Sequence, residues 1–461
     1  MTLANLKGLR HRTFQYDFGF AKLGYVCVFS TFIKDELYLG HDYFCNMTVK
    51  KFLLLTCILT FSGLKSQVLR DTTAFDYLKT IQIAPVGAPL DFPAYELGAS
   101  KGLELSFDDM AYEWNNYAYR IFHCTKNWTR SELLINQYLR GFEGNYLNNF
   151  AISIGTFVPY THYAVTVPNA DVKPIISGNY VIEVYQNDDP EDLVLRRRFI
   201  VYENLVVPSV TVGRALDMEG FSSQQQVSAR VSMAGYPIQD YYQDLDLSIL
   251  QNRRWDNAKT ELKPAFINDG VLEYNFMGEE AFDGGVEHHT FDTKRLNQTG
   301  LGVKTSRLDS CWTIYLNEKK NRSISVYSFD NDINGRRLIQ RADVGNPDLA
   351  GDYCWVEFYF ESPELEVPVY VYGQLSDWSL RENFKLSYDR NRGAYLGQVL
   401  LKQGYYNYIF AHPDSNGGVS TEMTEGTHWQ TRNDYSLIMY NRGMGLRYDR
   451  IIGYLKPASA L

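Results

Sequence analysis

The chain has 461 residues, of which 21% are charged and 15% are aromatic, and its formal net charge at pH 7 is −9. An acidic surface repels a phosphate backbone, so this composition argues against general nucleic-acid binding. The length is enough for two or three domains with separate hydrophobic cores.

Residues 47–66, MTVKKFLLLTCILTFSGLKS, have the pattern of a secretory signal peptide. Two lysines precede the apolar run, and the small Ser66 precedes the expected cleavage before Gln67. The run has about 13 residues, whereas a membrane-spanning helix needs roughly 20. An uncleaved anchor is the alternative. Because a signal peptide must lead the chain, we interpret residues 1–46 as a start-site error that is not translated, and we expect an exported protein.

Removal of residues 1–66 makes the protein more acidic and leaves few cysteines. Lys and Arg fall from 45 to 37 and Asp and Glu from 54 to 50, which gives a net charge of −13. Cys124, Cys311 and Cys354 remain, an odd and sparse set that forms no disulfide framework, although one bridge is possible. No later apolar run has spanning length, so the sequence predicts a soluble chain without a membrane span.

Short runs with period-2 alternation recur from residue 67 onward, with turn residues between them. In DYCWVEFYF, for example, Cys354, Val356, Phe358 and Phe360 share one face, which we expect to be the core face. Short connections favour antiparallel pairing. The sequence therefore predicts an all-β protein of tandem immunoglobulin-like or fibronectin-like β-sandwiches. The expected units are an N-terminal sandwich (67–205), a middle β domain (206–362) and a C-terminal early-set immunoglobulin-like domain (363–461).

The last unit resembles early-set modules related to starch and glycogen binding. VYVYGQLSDW supplies the turn tryptophan, Trp378, and GYYNYIF supplies the hairpin residues Gly404, Tyr406 and Tyr408. This resemblance implies that Trp378, Tyr406 and Tyr408 are carbohydrate-contact candidates. The basic residue expected in the hairpin is replaced by Ile409, so the resemblance supports the fold more than the ligand.

One segment suggests a calcium loop. Asp330, Asp332, Asn334 and Gly335 match the opening of an EF-hand loop, but the twelfth position, where calcium needs a glutamate, is Arg341. A tight Asn-Gly hairpin between strands accounts for the same residues. We therefore expect no calcium site.

Other residues with potential chemistry form no complete set. Glu287, His288 and His289 are consecutive, and neighbouring strand residues point to opposite faces, so they make a poor chelate. His123 and Cys124 fail as a base and nucleophile for the same reason, and Cys124 is expected to be a buried structural residue. The sequence predicts no enzyme activity, no metal, no cofactor and no small-molecule ligand.

The stretch QNRRWDNA favours a protein partner. It places Arg253, Arg254, Trp255 and Asp256 in a loop after a strand, and Trp and Arg are preferred interface anchors. These four residues are the partner-contact candidates. The alternative is an arginine stacked on a tryptophan that holds the loop to the protein's own surface.

Many pieces in order resemble the plug-protein family of the type IX secretion system of Bacteroidetes. They are LELSFDDM, FHCTKNW, YTHYAVTVPN, SGNYVIEVY, RRFIV, QNRRWDNA, TFDTKRL, DINGR, LKQGYYNYIF, TEGTHWQTRNDY and RYDRIIGY. The resemblance implies a non-enzymatic, exported, β-rich protein that occludes the periplasmic opening of the outer-membrane translocon barrel. It implies a location in the periplasm, on the inner side of the outer membrane. The alternatives are a periplasmic or surface carbohydrate-binding protein and an adaptor elsewhere in the same machine.

Overall fold

The computed structural model describes residues 67–459 apart from 112–114, 217, 219, 234, 276–280, 344, 416 and 444. The signal-peptide and start-site predictions fall on residues 1–66 and lie outside the described residues. The described chain belongs to one compact unit and confirms the all-β class. Its helical elements are short: α1 (Ile135–Tyr138), α2 (Pro347–Ala350) and two 3₁₀ turns (Gln374–Ser376 and Glu382–Phe384). No described helix is long and apolar enough to cross a membrane.

The first sandwich is built from the first twelve strands. They are β1 (Thr72–Thr73), β2 (Leu78–Pro85), β3 (Ala94–Glu96), β4 (Leu103–Asp109), β5 (Ala118–Cys124), β6 (Leu139–Gly141), β7 (Gly144–Tyr146), β8 (Phe150–Ile152), β9 (Thr161–Val167), β10 (Val172–Pro174), β11 (Gly178–Tyr185) and β12 (Leu193–Tyr202). One sheet has the order β1-β12-β11-β5-β7, with β3 parallel to β12, and the other has the order β2-β4-β9-β8. Side chains of both sheets share one core, and β6 and β10 form a separate ribbon.

The next seven strands begin the second sandwich. They are β13 (Val207–Arg214), β14 (Gln224–Ser232), β15 (Leu245–Gln251), β16 (Lys259–Leu262), β17 (Phe266–Asn268), β18 (Val271–Asn275) and β19 (Phe282–Asp283). β13, β14, β18 and β17 form one sheet in that order, and β19 extends it alongside β14. β15 and β16 belong to the opposite sheet.

The chain then builds the third sandwich from eleven strands. They are β20 (His289–Asp292), β21 (Val303–Leu308), β22 (Trp312–Leu316), β23 (Lys319–Lys320), β24 (Arg337–Ile339), β25 (Tyr353–Glu361), β26 (Tyr370–Tyr372), β27 (Ser387–Asp389), β28 (Ala394–Lys402), β29 (Gly404–Pro413) and β30 (Val419–Ser420). β29 pairs with β20, β24, β26 and β30, and this sheet faces a second sheet of order β21-β22-β25-β28-β27, with β23 beside β25.

The last two strands return to the second sandwich. β31 (Asp434–Asn441) pairs with β15, and β32 (Arg450–Ser459) pairs with β31, which completes the sheet β16-β15-β31-β32. The third sandwich is thus inserted between β19 and β31. The boundary predicted at residue 362 does not separate sheets, because β20 and β24 pair with β29 across it. Local alternation indicates which face of a strand is buried but not which strand lies beside it.

The alternation in β25 confirms the predicted core face. Val356, Phe358 and Phe360 are fully buried, whereas Trp355 is 40% exposed. The expected packing of Trp378 against the YYNYIF hairpin is also present, since Trp378 contacts the cluster that contains Ile409.

Candidate functional site

A buried polar cluster joins the first sandwich to the third. The Nζ of Lys402 and the hydroxyl of Tyr353 each donate to Oδ2 of Asp108 over 2.7 Å, and His162 Nδ1 lies 2.7 Å from Oδ1. The side chains of Lys402 and Asp108 are both 1% exposed. Burial opposes ionisation of Asp108, but Lys402 and His162 outweigh it and hold the pKa of that carboxyl below its usual range. A buried ion pair therefore joins the two sandwiches.

The loop after β15 joins the second sandwich to the third. Arg254 donates from Nε to Asp256 (3.0 Å) and from Nη2 to the hydroxyl of Tyr372 (2.8 Å). That hydroxyl donates to Asp256 (2.9 Å), and the guanidinium lies 4.5 Å from the ring centroid of Trp378. The planar fork and the flat ring allow both contacts at once.

The same loop also contacts the first sandwich. Arg253 donates to the carbonyl oxygen of Leu90, and Trp255 meets Trp128 edge-on with ring centroids 4.8 Å apart. An arginine stacked on a tryptophan is the arrangement that the sequence alternative describes, although the ring is Trp378 and not Trp255. The four predicted partner-contact residues thus have partners inside their own chain, and a role in contacting another protein stays a prediction.

The aromatic residues proposed for sugar contact lie apart. Tyr406 and Tyr408 are each 1% exposed and belong to the core of the third sandwich, so neither offers a ring face to a sugar. The Trp378 ring carries Arg254 against it. The structure therefore does not bring these three residues together as a stacking platform.

The histidine pair points to opposite sides, as expected for neighbouring strand residues. His288 Nδ1 lies 2.9 Å from Asp332, and His289 Nε2 lies 3.3 Å from Glu425. Burial opposes ionisation of Glu425, but His289 and Arg322 lower its pKa to about 2. Within the described chain no group of three or more His, Cys, Asp and Glu side chains is placed to hold a metal.

The calcium-like segment contains an Asn-Gly turn without a hairpin. Asn334 and Gly335 both have positive φ (53° and 74°), as a tight turn requires. Only the following strand, β24, lies in a sheet; before the turn, the amide of Ile333 donates instead to the side chain of Asn407. The predicted hairpin between strands is therefore wrong, because the segment before the turn bonds to side chains. Asp332 accepts from His288 and from the amide of Asn334.

Cys124, Cys311 and Cys354, the cysteines of the described residues, are free thiols. Cys124 is fully buried, and burial raises its pKa to about 12, which makes it inert as a nucleophile. This confirms the predicted structural role. The neighbouring His123 is packed edge-on against Tyr180 and Tyr448.

Segment 134–157 of the first sandwich presents a surface that the sequence interpretation missed. It includes β7 and β8, which are the edge strands of the two facing sheets. We call its most exposed apolar side chains the apolar edge: Leu134, Phe142, Tyr146, Ile152, Ile154 and Phe157. Their exposed fractions range from 51% to 75%. Only Tyr146 and Ile152 lie in these strands, which have three residues each, too few for alternation to distinguish an outward apolar face from a core face. The other four residues lie outside strands and carry no such pattern.

The C-terminal end of the apolar edge is hydrogen-bonded to the third sandwich. Asp352 of the third sandwich accepts from the amides of Phe157 (2.8 Å) and Val158 (3.1 Å), and the amide of Ile154 donates to the carbonyl of Leu349 (2.8 Å). These bonds fix the backbone while the apolar side chains stay in solvent. The surface is therefore exposed and ordered by contacts from two sandwiches.

A second exposed apolar group lies where three loops meet around segment 421–432. We call it the loop face: Leu216, Phe221, Ile324, Val326, Phe329 and Met423. Arg432 lies 4.2 Å from the Phe329 ring centroid, and the amide of Trp429 donates to Ser222 beside Phe221. Ile324 and Val326 are 97% and 88% exposed.

These features define an all-β protein of fused sandwiches that exposes apolar side chains along segment 134–157 and on the loop face. Residues 78–203 match the family model described as Type 9 secretion system plug protein 1st domain. A hypothetical protein from Parabacteroides merdae, known from a crystal structure, is 32% identical in sequence to this chain. The alignment covers 85% of this chain and 99% of that protein, and the two structures superpose with a TM-score of 0.80. The chain belongs to the plug-protein family of the type IX secretion system, which confirms the resemblance and connects the protein with type IX secretion.

The remaining comparisons add little. A partial N-terminal region of an enterococcal surface protein aligns over 46% of this chain and 81% of its own, at 8% identity and a TM-score of 0.13, which supports no structural argument. No curated protein matches the chain.

Proposed function

We propose that this protein binds the periplasmic opening of the outer-membrane translocon of the type IX secretion system and closes it between export events, without catalysis. The observation that carries the proposal is the apolar edge, which lies inside the segment that matches the family model. Clusters of exposed apolar side chains on a folded protein mark interaction sites. In this proposal the apolar edge contacts the rim of the barrel.

The proposal is supported by the contacts that join the three sandwiches. Charged and polar contacts join each pair of sandwiches: the buried pair of Asp108 and Lys402, the half-buried pair of Glu203 and Arg450, and Arg254 with Asp256 and Tyr372. A stopper has to keep its shape across a wide aperture, and breaking the pair of Asp108 and Lys402 would leave a buried charged group unpaired. The fused sandwiches suit that requirement.

A stopper must also leave the pore when a substrate arrives. The apolar edge is interrupted by polar residues, and interfaces that form reversibly are apolar at the centre with a polar rim. This composition is appropriate for a transient contact of modest area and not for a permanent one. The location that follows is the periplasm, on the inner side of the outer membrane.

The test is affinity purification of the tagged translocon from cells that carry the wild-type chain or Phe142→Asp with Ile154→Asp. A charge at each of two exposed positions should leave the fold intact and reduce co-purification by about tenfold or more. The matched control is Ile324→Asp with Val326→Asp on the loop face, which should co-purify like wild type. Loss of binding only in the control pair would place the contact on the loop face.

Closure is tested separately from binding. Deletion of the gene should make cells sensitive to antibiotics too large for ordinary porins, and the edge variant should reproduce this. A chain that co-purifies with the translocon while deletion leaves permeability unchanged is an adaptor and not a plug. Retention on a glycan column that is lost in Trp378→Ala would favour carbohydrate binding, for which the buried Tyr406 and Tyr408 offer no support.

A further inference from the structure

A small cavity lies between the first and third sandwiches. Its volume is about 30 Å³, enough for one or two groups the size of a water molecule. One wall comes from β2, and the others come from β24, β25, β28 and β29 and from the two 3₁₀ turns with the residues that flank them. The polar side chains that line it include Lys79, Thr80, Arg337, Asp377, Arg381 and Lys402.

Positive charge is in excess around this cavity. Four cationic side chains line it, whereas Asp377 is the carboxylate in the lining. Asp377 is already shared between Arg381 (2.6 Å) and Arg197 (2.9 Å), and Lys402 is paired with Asp108. Even after these pairs are counted, Lys79 and Arg337 form no direct ion pair among the described residues, and Asp76 and Asp377 act on them only from beyond ion-pair distance. This excess is unusual in a chain whose acidic residues outnumber its basic ones.

Of these two unpaired cations, Arg337 is the more deeply buried. It is 5% exposed, its Nη2 donates to the carbonyl oxygen of Ile81 (2.6 Å), and its Nε has no hydrogen-bond partner among the described groups. Buried donors are nearly always satisfied, and leaving a charged one unsatisfied is costly. An acceptor in the cavity would remove that cost.

Lys79 supports the same interpretation. Burial lowers the pKa of its ammonium group, Asp76 opposes this, and repulsion from Arg381 lowers the pKa further. A nearby negative charge would relieve that repulsion, because an opposite charge favours the ionised form.

We propose that this cavity binds a small inorganic anion of about the size of chloride, held by Arg337 and Lys79. Bound there, the anion contacts β2 of the first sandwich and β24 of the third. It therefore acts as a charged link between these two bodies beside the pair of Lys402 and Asp108. The inference goes beyond the proposed function and does not depend on it.

The first test compares thermal unfolding of residues 67–461 in potassium chloride and potassium gluconate at equal ionic strength. Chloride at about tenfold above its dissociation constant should raise Tm by about 2 °C. Lys79→Gln should reduce this difference and Arg337→Gln should abolish it. The matched control Arg230→Gln removes an exposed cation of β14 and should keep the full difference. Equal Tm values in the two salts for the wild-type chain would overturn the proposal.

The second test does not depend on the stability of any variant. Crystals of residues 67–461 grown or soaked in sodium bromide should show an anomalous peak within hydrogen-bond distance of Arg337. Bromide peaks confined to the outer surface would contradict the proposal. Because neither measurement involves the translocon, its failure is distinguishable from failure of the plugging function.

Discussion

The guanidinium of Arg254 lies 4.5 Å from the ring centroid of Trp378, although the two residues come from different sandwiches. The sequence assigned them to rival functions, a partner contact and a sugar platform. In the fold the two residues contact each other. The arginine covers the Trp378 ring, and the ring and Asp256 hold the guanidinium in place. The contact between Arg254 and Trp378 therefore joins the second sandwich to the third.

Replacement of Arg254 should therefore reduce stability. Arg254→Lys keeps the charge but loses the fork and the stacking, and we expect a loss of about 1–2 kcal/mol in the free energy of unfolding, against about 2–4 kcal/mol for Arg254→Ala. Urea unfolding measures both. The control is Arg390→Lys, whose exposed pair with Glu364 should change stability by less than about 0.5 kcal/mol. Equal losses of stability in Arg254→Lys and Arg390→Lys would contradict the role of Arg254 in joining the two sandwiches.

Lys402 and Asp108 should be strongly coupled. Lys402→Met leaves the buried carboxylate short of one partner and should cost about 3–5 kcal/mol, whereas the double variant with Asp108→Leu should cost less than the sum of the single changes. A double-mutant cycle in urea measures this coupling. Additive losses would mean that the pair does not act as a unit.

Glu425 should make the protein sensitive to acid. Its folded-state pKa is about 2 and its ordinary value is 4.5, so its stabilising contribution is complete above about pH 4.5 and is lost as the pH falls toward 2. The total loss is about 3 kcal/mol for a fully buried carboxylate. Glu425→Gln should be less stable at pH 7 and should show a shallower fall of Tm between pH 4.5 and 2. An unchanged slope would contradict this assignment.

Protonation of His123 should reduce the stability of the fold at a higher pH than protonation of Glu425. Burial lowers its pKa to about 4 from 6.5, so the unfolded chain takes up the proton first and stability falls as the pH drops from 6.5 to 4. The expected loss is about 3 kcal/mol. His123→Phe should remove this part of the pH dependence of Tm. Tyr448→Phe, which keeps the histidine among its aromatic neighbours, should retain it.

The sequence alone determined the all-β class, the family and the buried face of individual strands. The alternation of Val356, Phe358 and Phe360 predicts their burial because side chains along a strand point to alternate faces. It also placed His288 and His289 on opposite sides. Each of these inferences depends on neighbours along the chain.

Only the tertiary structure decided which strands lie together and which polar groups meet. Lys402 and Asp108 are 294 residues apart, and β31 joins β15 only after the whole third sandwich has been inserted between them. Neither pairing leaves a local period in the sequence, because a strand's pattern is the same whichever strand lies beside it. The apolar edge was hidden for a related reason: an exposed Phe142 and a buried Phe107 are the same residue type, and only the packing of the two sheets distinguishes them.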